Sequence, residues 1–146
     1  MEGIGKEIMY SVFRMQKALY RLVREDAARV GITEVQLIIL YTLLKKENIR
    51  LNDLAEKLNL SNSNVSGTVD RLVSAGLVAR ETSKQDRRAV VLSLTDRGRQ
   101  AIQEAFNHES VLRKRLKRIE ETFKEEEILQ YLSIQQKMKD ILLGEE

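Results

Sequence analysis

The sequence predicts a mainly α-helical chain with one small β-hairpin, and three observations carry that prediction. The 146 residues include no proline, and 32% are charged against 5% aromatic, a composition that favours long, uninterrupted helices. Apolar residues recur at helical spacing over most of the length. The stretch Asp86-Arg87-Arg88-Ala89-Val90-Val91-Leu92-Ser93-Leu94-Thr95-Asp96-Arg97-Gly98 changes character twice. A charged tip gives way to a β-favouring run, and that run ends at a threonine suited to capping a helix.

The first helix is predicted over residues 4–30. Ile8, Val12, Met15, Leu19 and Leu22 are spaced four, three, four and three apart, a coiled-coil-like seam that Met9, Phe13 and Tyr20 widen. Gly31 can end this helix in a left-handed conformation. Thr33 caps a second helix over 34–46, with Gln36 as capping-box partner and Ile32 and Leu37 as the hydrophobic staple. Leu37, Leu40, Tyr41 and Leu44 are its expected buried face. A turn at Glu47-Asn48 and a β-bridge around Ile49-Arg50-Leu51 lead to a short third helix capped by Asn52, with Leu54, Ala55 and Leu58 inward. Ser61 caps a fourth helix that ends before Gly76. Strands at 77–82 and 89–94 flank the tip at 83–88. Two more helices, 96–119 and 124–143, complete the chain. The last keeps Ile128, Leu132, Gln135, Met138 and Ile141/Leu142 on one side.

Composition excludes several chemistries. Without cysteine there are no disulfides, thiolate metal sites or thiol redox switches, and the single histidine, His108, cannot supply a histidine-based acid–base or zinc site. His108 is expected as an exposed helix residue. No nucleophile–base constellation or glycine-rich phosphate loop is present, so no enzyme and no cofactor are expected. The three acids Glu125-Glu126-Glu127 are explained by the favourable dipole of a helix's first turn rather than by a metal. No apolar run approaches the roughly 20 residues of a membrane span and no signal-peptide pattern opens the chain, so the expectation is a soluble, cytoplasmic protein. The net charge of +3 is uneven. Residues 80–99 hold six bases against three acids, and residues 1–30 six against four, whereas residues from 101 on hold eight against ten. A local basic cluster on a nearly neutral chain suits contact with phosphate through one face.

Residues 52–75 have the length of a helix-turn-helix. At 100° per residue, Val65, Val69, Leu72 and Val73 of its second helix share one stripe and must face the core. The opposite face carries Ser63, Asn64, Gly67, Arg71 and Ser74, with Asp70 beside it and Ser66 and Thr68 on the flanks. Asparagine can bond the edge of adenine, serine and threonine reach bases or phosphates, and arginine grips phosphate or guanine. The helix N-terminus at Ser61 attracts phosphate. A solvated polar face would look the same. Gly67 costs about 0.5–1 kcal/mol in a helix interior, which calls either for close approach by a partner or for packing against the same chain.

With that helix upstream, the stretch from Asp86 to Gly98 resembles the signature of the MarR family of winged helix-turn-helix regulators. The pattern is Asp-x-Arg, three residues, Leu-x-Leu-Thr, two residues, Gly, and Asp86, Arg88, Leu92, Leu94, Thr95 and Gly98 fill its places. Leu51 to Leu58 resembles the family's first helix-turn-helix helix, Val65 to Leu72 its recognition helix, Ala75 to Arg80 its link into the wing, and Gly31 to Leu37 the start of its second helix. Asn52 stands where serine or threonine is often found.

The resemblance implies a single domain over 1–146, with dimerisation helices at 1–30 and 120–146 and a winged-helix lobe at 33–98. Within that lobe the helix-turn-helix is 52–75 and the wing 77–94. It implies a homodimeric transcriptional regulator, a repressor, binding double-stranded DNA at a roughly palindromic operator. The recognition helix enters the major groove and the wing the minor groove. The candidate DNA contacts are Ser61, Ser63, Asn64, Ser66, Gly67, Thr68, Arg71, Arg87 and Arg88. Arg88 is the residue inserted in the minor groove, and Asp86 braces the tip by an ion pair to its arginine. Family members also bind small aromatic ligands between the dimer lobe and the winged helix, for which Tyr10, Arg14, Tyr20 and Tyr41 are the candidates. The alternative is a winged-helix protein-interaction module without an operator.

Overall fold

The computed structural model describes residues 3–146; residues 1–2 of the predicted N-terminal arm lie outside it. Seven helices and a three-stranded antiparallel sheet follow in the order α1 (Ile4–Arg29), α2 (Glu34–Lys45), β1 (Ile49–Arg50), α3 (Leu51–Leu58), α4 (Asn62–Ser74), β2 (Val78–Thr82), β3 (Val90–Leu94), α5 (Asp96–Ala105), α6 (Val111–Thr122) and α7 (Glu125–Leu143). β3 lies between β1 and β2, with Ile49 opposite Leu92 and Val78 opposite Leu94. No single helix among the described residues is long and apolar enough to cross a membrane.

Local chemistry sets most boundaries. Gly31 is left-handed, with φ of 80°. The Thr33 hydroxyl accepts from the Gln36 amide while the Gln36 side chain accepts from the Thr33 amide, a complete capping box. Ile32 and Leu37 pack in one cluster beside it. The main core lies between α2, α3, α4, α5 and the sheet, where Leu40, Leu43, Leu54, Val65, Val69 and Leu72 are fully buried or nearly so.

Four expectations are corrected. On α2, Ile39 and Leu43 join Leu37 and Leu40 in the core, while Tyr41 and Leu44 are exposed. This helix is apolar on most sides, so its periodicity does not choose a face; the elements packed on it do. Tyr41 instead meets Phe106 edge-on, with ring centroids 6.0 Å apart. Asn52 does not cap α3: pairing of β1 with β3 holds Arg50 extended, the helix starts at Leu51, and Arg50 occupies the cap position without a side-chain bond. The helix expected over 96–119 is two helices, broken at residues 106–110, with Ser110 capping the second. His108 therefore sits in an exposed turn, not in a helix.

The seams of the outer helices find little cover within the chain. Ile8, Val12, Met15 and Leu19 of α1 and Leu132 and Ile141 of α7 are exposed, and α6 and α7 contain no buried residue. An open apolar groove between α1 and α7 is lined by Ile8, Val12, Met15, Leu19, Ile134 and Met138.

Candidate nucleic-acid interface

α4 buries Val65, Val69 and Leu72 and turns its other side to solvent. The Ser61 hydroxyl accepts from the Asn64 amide at 3.2 Å and so anchors the first turn. Ser61, Ser63, Asn64 and Arg71 are exposed, with Ser66, Gly67 and Thr68 partly so. Thr68 donates its hydroxyl to the Asn64 carbonyl at 3.0 Å. A Cβ added to Gly67 would meet only the Arg71 guanidinium, at 4.0 Å. Packing within the chain therefore does not require this glycine. Asp70, beside the face, pairs with Arg80 on β2, tying the recognition helix to the base of the hairpin.

The hairpin tip is ordered by its own side chains. The Ser83 amide donates to the Ala89 carbonyl at 2.9 Å, and the Ser83 hydroxyl accepts from the Gln85 and Asp86 amides. Asp86 differs from expectation. Its carboxylate accepts from the backbone amide of Arg88 at 3.0 Å and pairs with Arg50 at 3.8 Å, not with the guanidinium of Arg87 or Arg88. The extended register of β1 against β3 carries Arg50 towards the tip, so the brace comes from another strand. Arg87 and Arg88 are exposed, and neither they nor Arg71 forms a salt bridge among the described residues. Sequence reasoning missed Arg50 and Arg80; Arg50's only signal was its place in the short β-bridge.

The remaining motif residues hold the hairpin to the lobe. Leu92 and Leu94 are in the core. The Thr95 hydroxyl accepts from the Gly98 amide, capping α5, and donates to the Gly76 carbonyl at 2.6 Å. Gly98 is buried against Leu77.

The model of the MarR family matches residues 32–90, from the entry to α2 through the start of β3. Over 96 residues, 63% of this chain, the sequence is 31% identical to the HTH-type transcriptional repressor MdtR of Bacillus subtilis, covering 62% of that protein. Over these residues the chain is similar to the MarR family. A solved MarR family protein from Bacillus stearothermophilus is similar over 94% of both chains, with a TM-score of 0.78 and 25% identity. The transcriptional repressor CouR, solved bound to a 23-mer DNA duplex, shares the fold over 95% of this chain and 99% of its own, with a TM-score of 0.72 and 24% identity. The chain spans less than two thirds of the curated relative MdtR and 38% of a second, the uncharacterised regulator YfiV of Bacillus subtilis.

The four candidate effector residues are not brought together. Tyr41 lines a crevice of about 800 Å³ between α1, α2 and α6, with Val23, Phe106, Leu116 and Lys117. Tyr20 lies in the groove between α1 and α7. Tyr10 lies under Lys6, whose ammonium is 5.8 Å from the ring centroid, and Arg14 is exposed on the same helix.

Proposed function

We propose that this chain is a sequence-specific DNA-binding transcriptional regulator, not an enzyme, acting as a cytoplasmic repressor through a homodimer on a roughly palindromic operator. The observation that carries the reading is the pairing of the small, polar, exposed face of α4 with a hairpin tip whose two arginines have no acidic partner among the described residues. MdtR is named a repressor and CouR was solved on DNA, which supports the same reading.

In this reading α4 lies in the major groove. Ser61 and Ser63 meet phosphate at the helix N-terminus, where free amides and the dipole favour anions. Asn64, Ser66, Thr68 and Arg71 face base edges, and Gly67 lets the helix backbone come close. The wing reaches the neighbouring minor groove, whose narrow A·T-rich form concentrates negative potential around Arg88. Arg87 contacts phosphate. Asp86 keeps the tip in shape and stays off the DNA. The half-exposed seams of α1 and α7 pack against a second copy, which sets two recognition helices about one helical turn apart. The crevice beside Tyr41 takes a small aromatic ligand, which shifts the population between lobe arrangements of different DNA affinity.

Sequencing of genomic DNA captured by the purified chain tests the reading. Enrichment of a palindromic site is the expected result. No enrichment at moderate salt favours a protein-interaction module instead. A monomer in light scattering at micromolar concentration overturns the role given to α1 and α7.

A further inference from the structure

We propose that the last turn of α1 is the joint that fixes the winged-helix lobe against the helical arms, with Asp26 and Arg29 as positioning residues for the spacing of the two recognition helices. The proposal rests on the homodimeric reading above, and its spacing part also on DNA binding.

Asp26 is a carboxylate only 1% exposed, and the DNA contacts proposed above make no use of it. It accepts from the Ser110 hydroxyl at 2.6 Å, the Val111 amide at 2.9 Å and the Leu112 amide at 3.1 Å. Those amides open α6 and have no acceptor within their own helix. One turn later, Arg29 donates to the carbonyls of Glu104 at 3.1 Å and Ala105 at 2.8 Å, which close α5, and reaches Glu109 at 3.3 Å. A single turn of α1 thus gives an anion to the start of one helix and a cation to the end of the helix before it. Both match the partial charges of those helix ends.

The position of this turn matters as much as its chemistry. α5 packs on α2 and β3, in the lobe, whereas α6 runs back along α1. The chain passes between arm and lobe at two places, after α1 and between α5 and α6. The Asp26–Arg29 turn holds both. A small cluster of Ala27, Leu37 and Ala105 sits at the same place, separate from the main core, and its two alanines let α1 and α5 approach closely. The Asp26 carboxylate is satisfied in one placement of α6 relative to α1, because its bonds are short, charge-assisted and directed at backbone groups. With α6 fixed on α1 in this way, rotation of the lobe breaks the Arg29 bonds to the end of α5 together.

The chain has no cysteine, so Lys57→Cys on α3 places one spin label in each lobe of the dimer. In the parent, the label-to-label distance distribution is expected to be narrow. In Asp26→Asn, which puts an amide donor among donors, it is expected to broaden or shift by several ångströms while circular dichroism and light scattering still report a folded dimer. Arg29→Ala, which removes the other half of the joint at a partly exposed position, is expected to act the same way and keeps the test open if Asp26→Asn does not fold. Asp70→Asn, which breaks an ion pair between α4 and β2 inside the lobe, is the control and leaves the distances unchanged. On captured operator DNA, adding or removing one base pair between half-sites weakens the parent at least tenfold and the joint variants at least threefold less. Parent-like distances and parent-like spacing discrimination in a folded variant overturn the proposal. If the parent captures no preferred DNA, the regulator reading fails, and the distance measurement still decides the joint.

Discussion

The α-carbon of Gly98 lies against the carbonyl oxygen of Leu77, so closely that a side chain has no room between them. That carbonyl also accepts from the Thr95 amide at 3.2 Å, and the Leu94 side chain closes the other flank, 3.2 Å from where a Cβ would sit. The last residue of the MarR signature is therefore a packing requirement where the hairpin turns into α5. Gly98→Ala forces backbone, not a flexible side chain, to move. We expect it to cost about 1–3 kcal/mol, the range for overfilling a close-packed site. Urea unfolding measures this, and a midpoint equal to that of the parent contradicts the packing described.

Gly67 gives the opposite forecast for the same substitution. Its site is open in the free chain, so Gly67→Ala should raise stability by about 0.5–1 kcal/mol through helix propensity. It should also weaken operator binding, because the new methyl stands where α4 approaches DNA. Thermal melting and a gel-shift titration read the two effects separately. A more stable variant with unchanged affinity removes Gly67 from the interface.

Arg88→Ala should weaken operator binding about tenfold or more, within the 1–3 kcal/mol of a specific arginine contact, while leaving the dimer intact. The backbone bond from Arg88 to Asp86 survives this change, so the tip keeps its shape. Undiminished affinity by fluorescence anisotropy sinks the assignment.

Asp86 offers a test of sign. A carboxylate near phosphate that did nothing else would oppose binding, and its removal would strengthen the complex. As the brace that holds the Arg88 amide and Arg50, it should do the reverse: Asp86→Ala weakens binding, by less than Arg88→Ala. Tighter binding of the variant rules out the brace.

Affinity should fall steeply with salt, since each phosphate neutralised adds about −0.9 to the slope of log K against log salt. Arg87→Ala, which removes a proposed phosphate contact, should flatten that slope by about one and weaken cognate and unrelated DNA alike. A flat parent plot would falsify the DNA-binding reading as a whole.

The sequence alone determined what depends on residues close together in the chain. Thr33, Ser61 and Thr95 each bond an amide three residues on, so a short window contains the whole interaction. The inward stripe of α4 follows from helical geometry, and the strand–tip–strand order from residue type. What the sequence left open was decided by groups far apart. Residues 106–110 hold neither glycine nor proline, and their local signals are only Asn107 accepting from the Glu109 amide and Ser110 accepting from the Arg113 amide. What the window does not contain is Asp26, 84 residues before Ser110, whose carboxylate accepts from the Ser110 hydroxyl and the first amides of the new helix. Arg50 reaches Asp86 only because β1 pairs with β3, and Tyr41 faces the crevice because the core had already taken the other side of α2. Caps and stripes are local free-energy minima that a sequence window holds entire; helix breaks, ion pairs between strands and the choice of a face on an apolar helix are minima of the packed molecule.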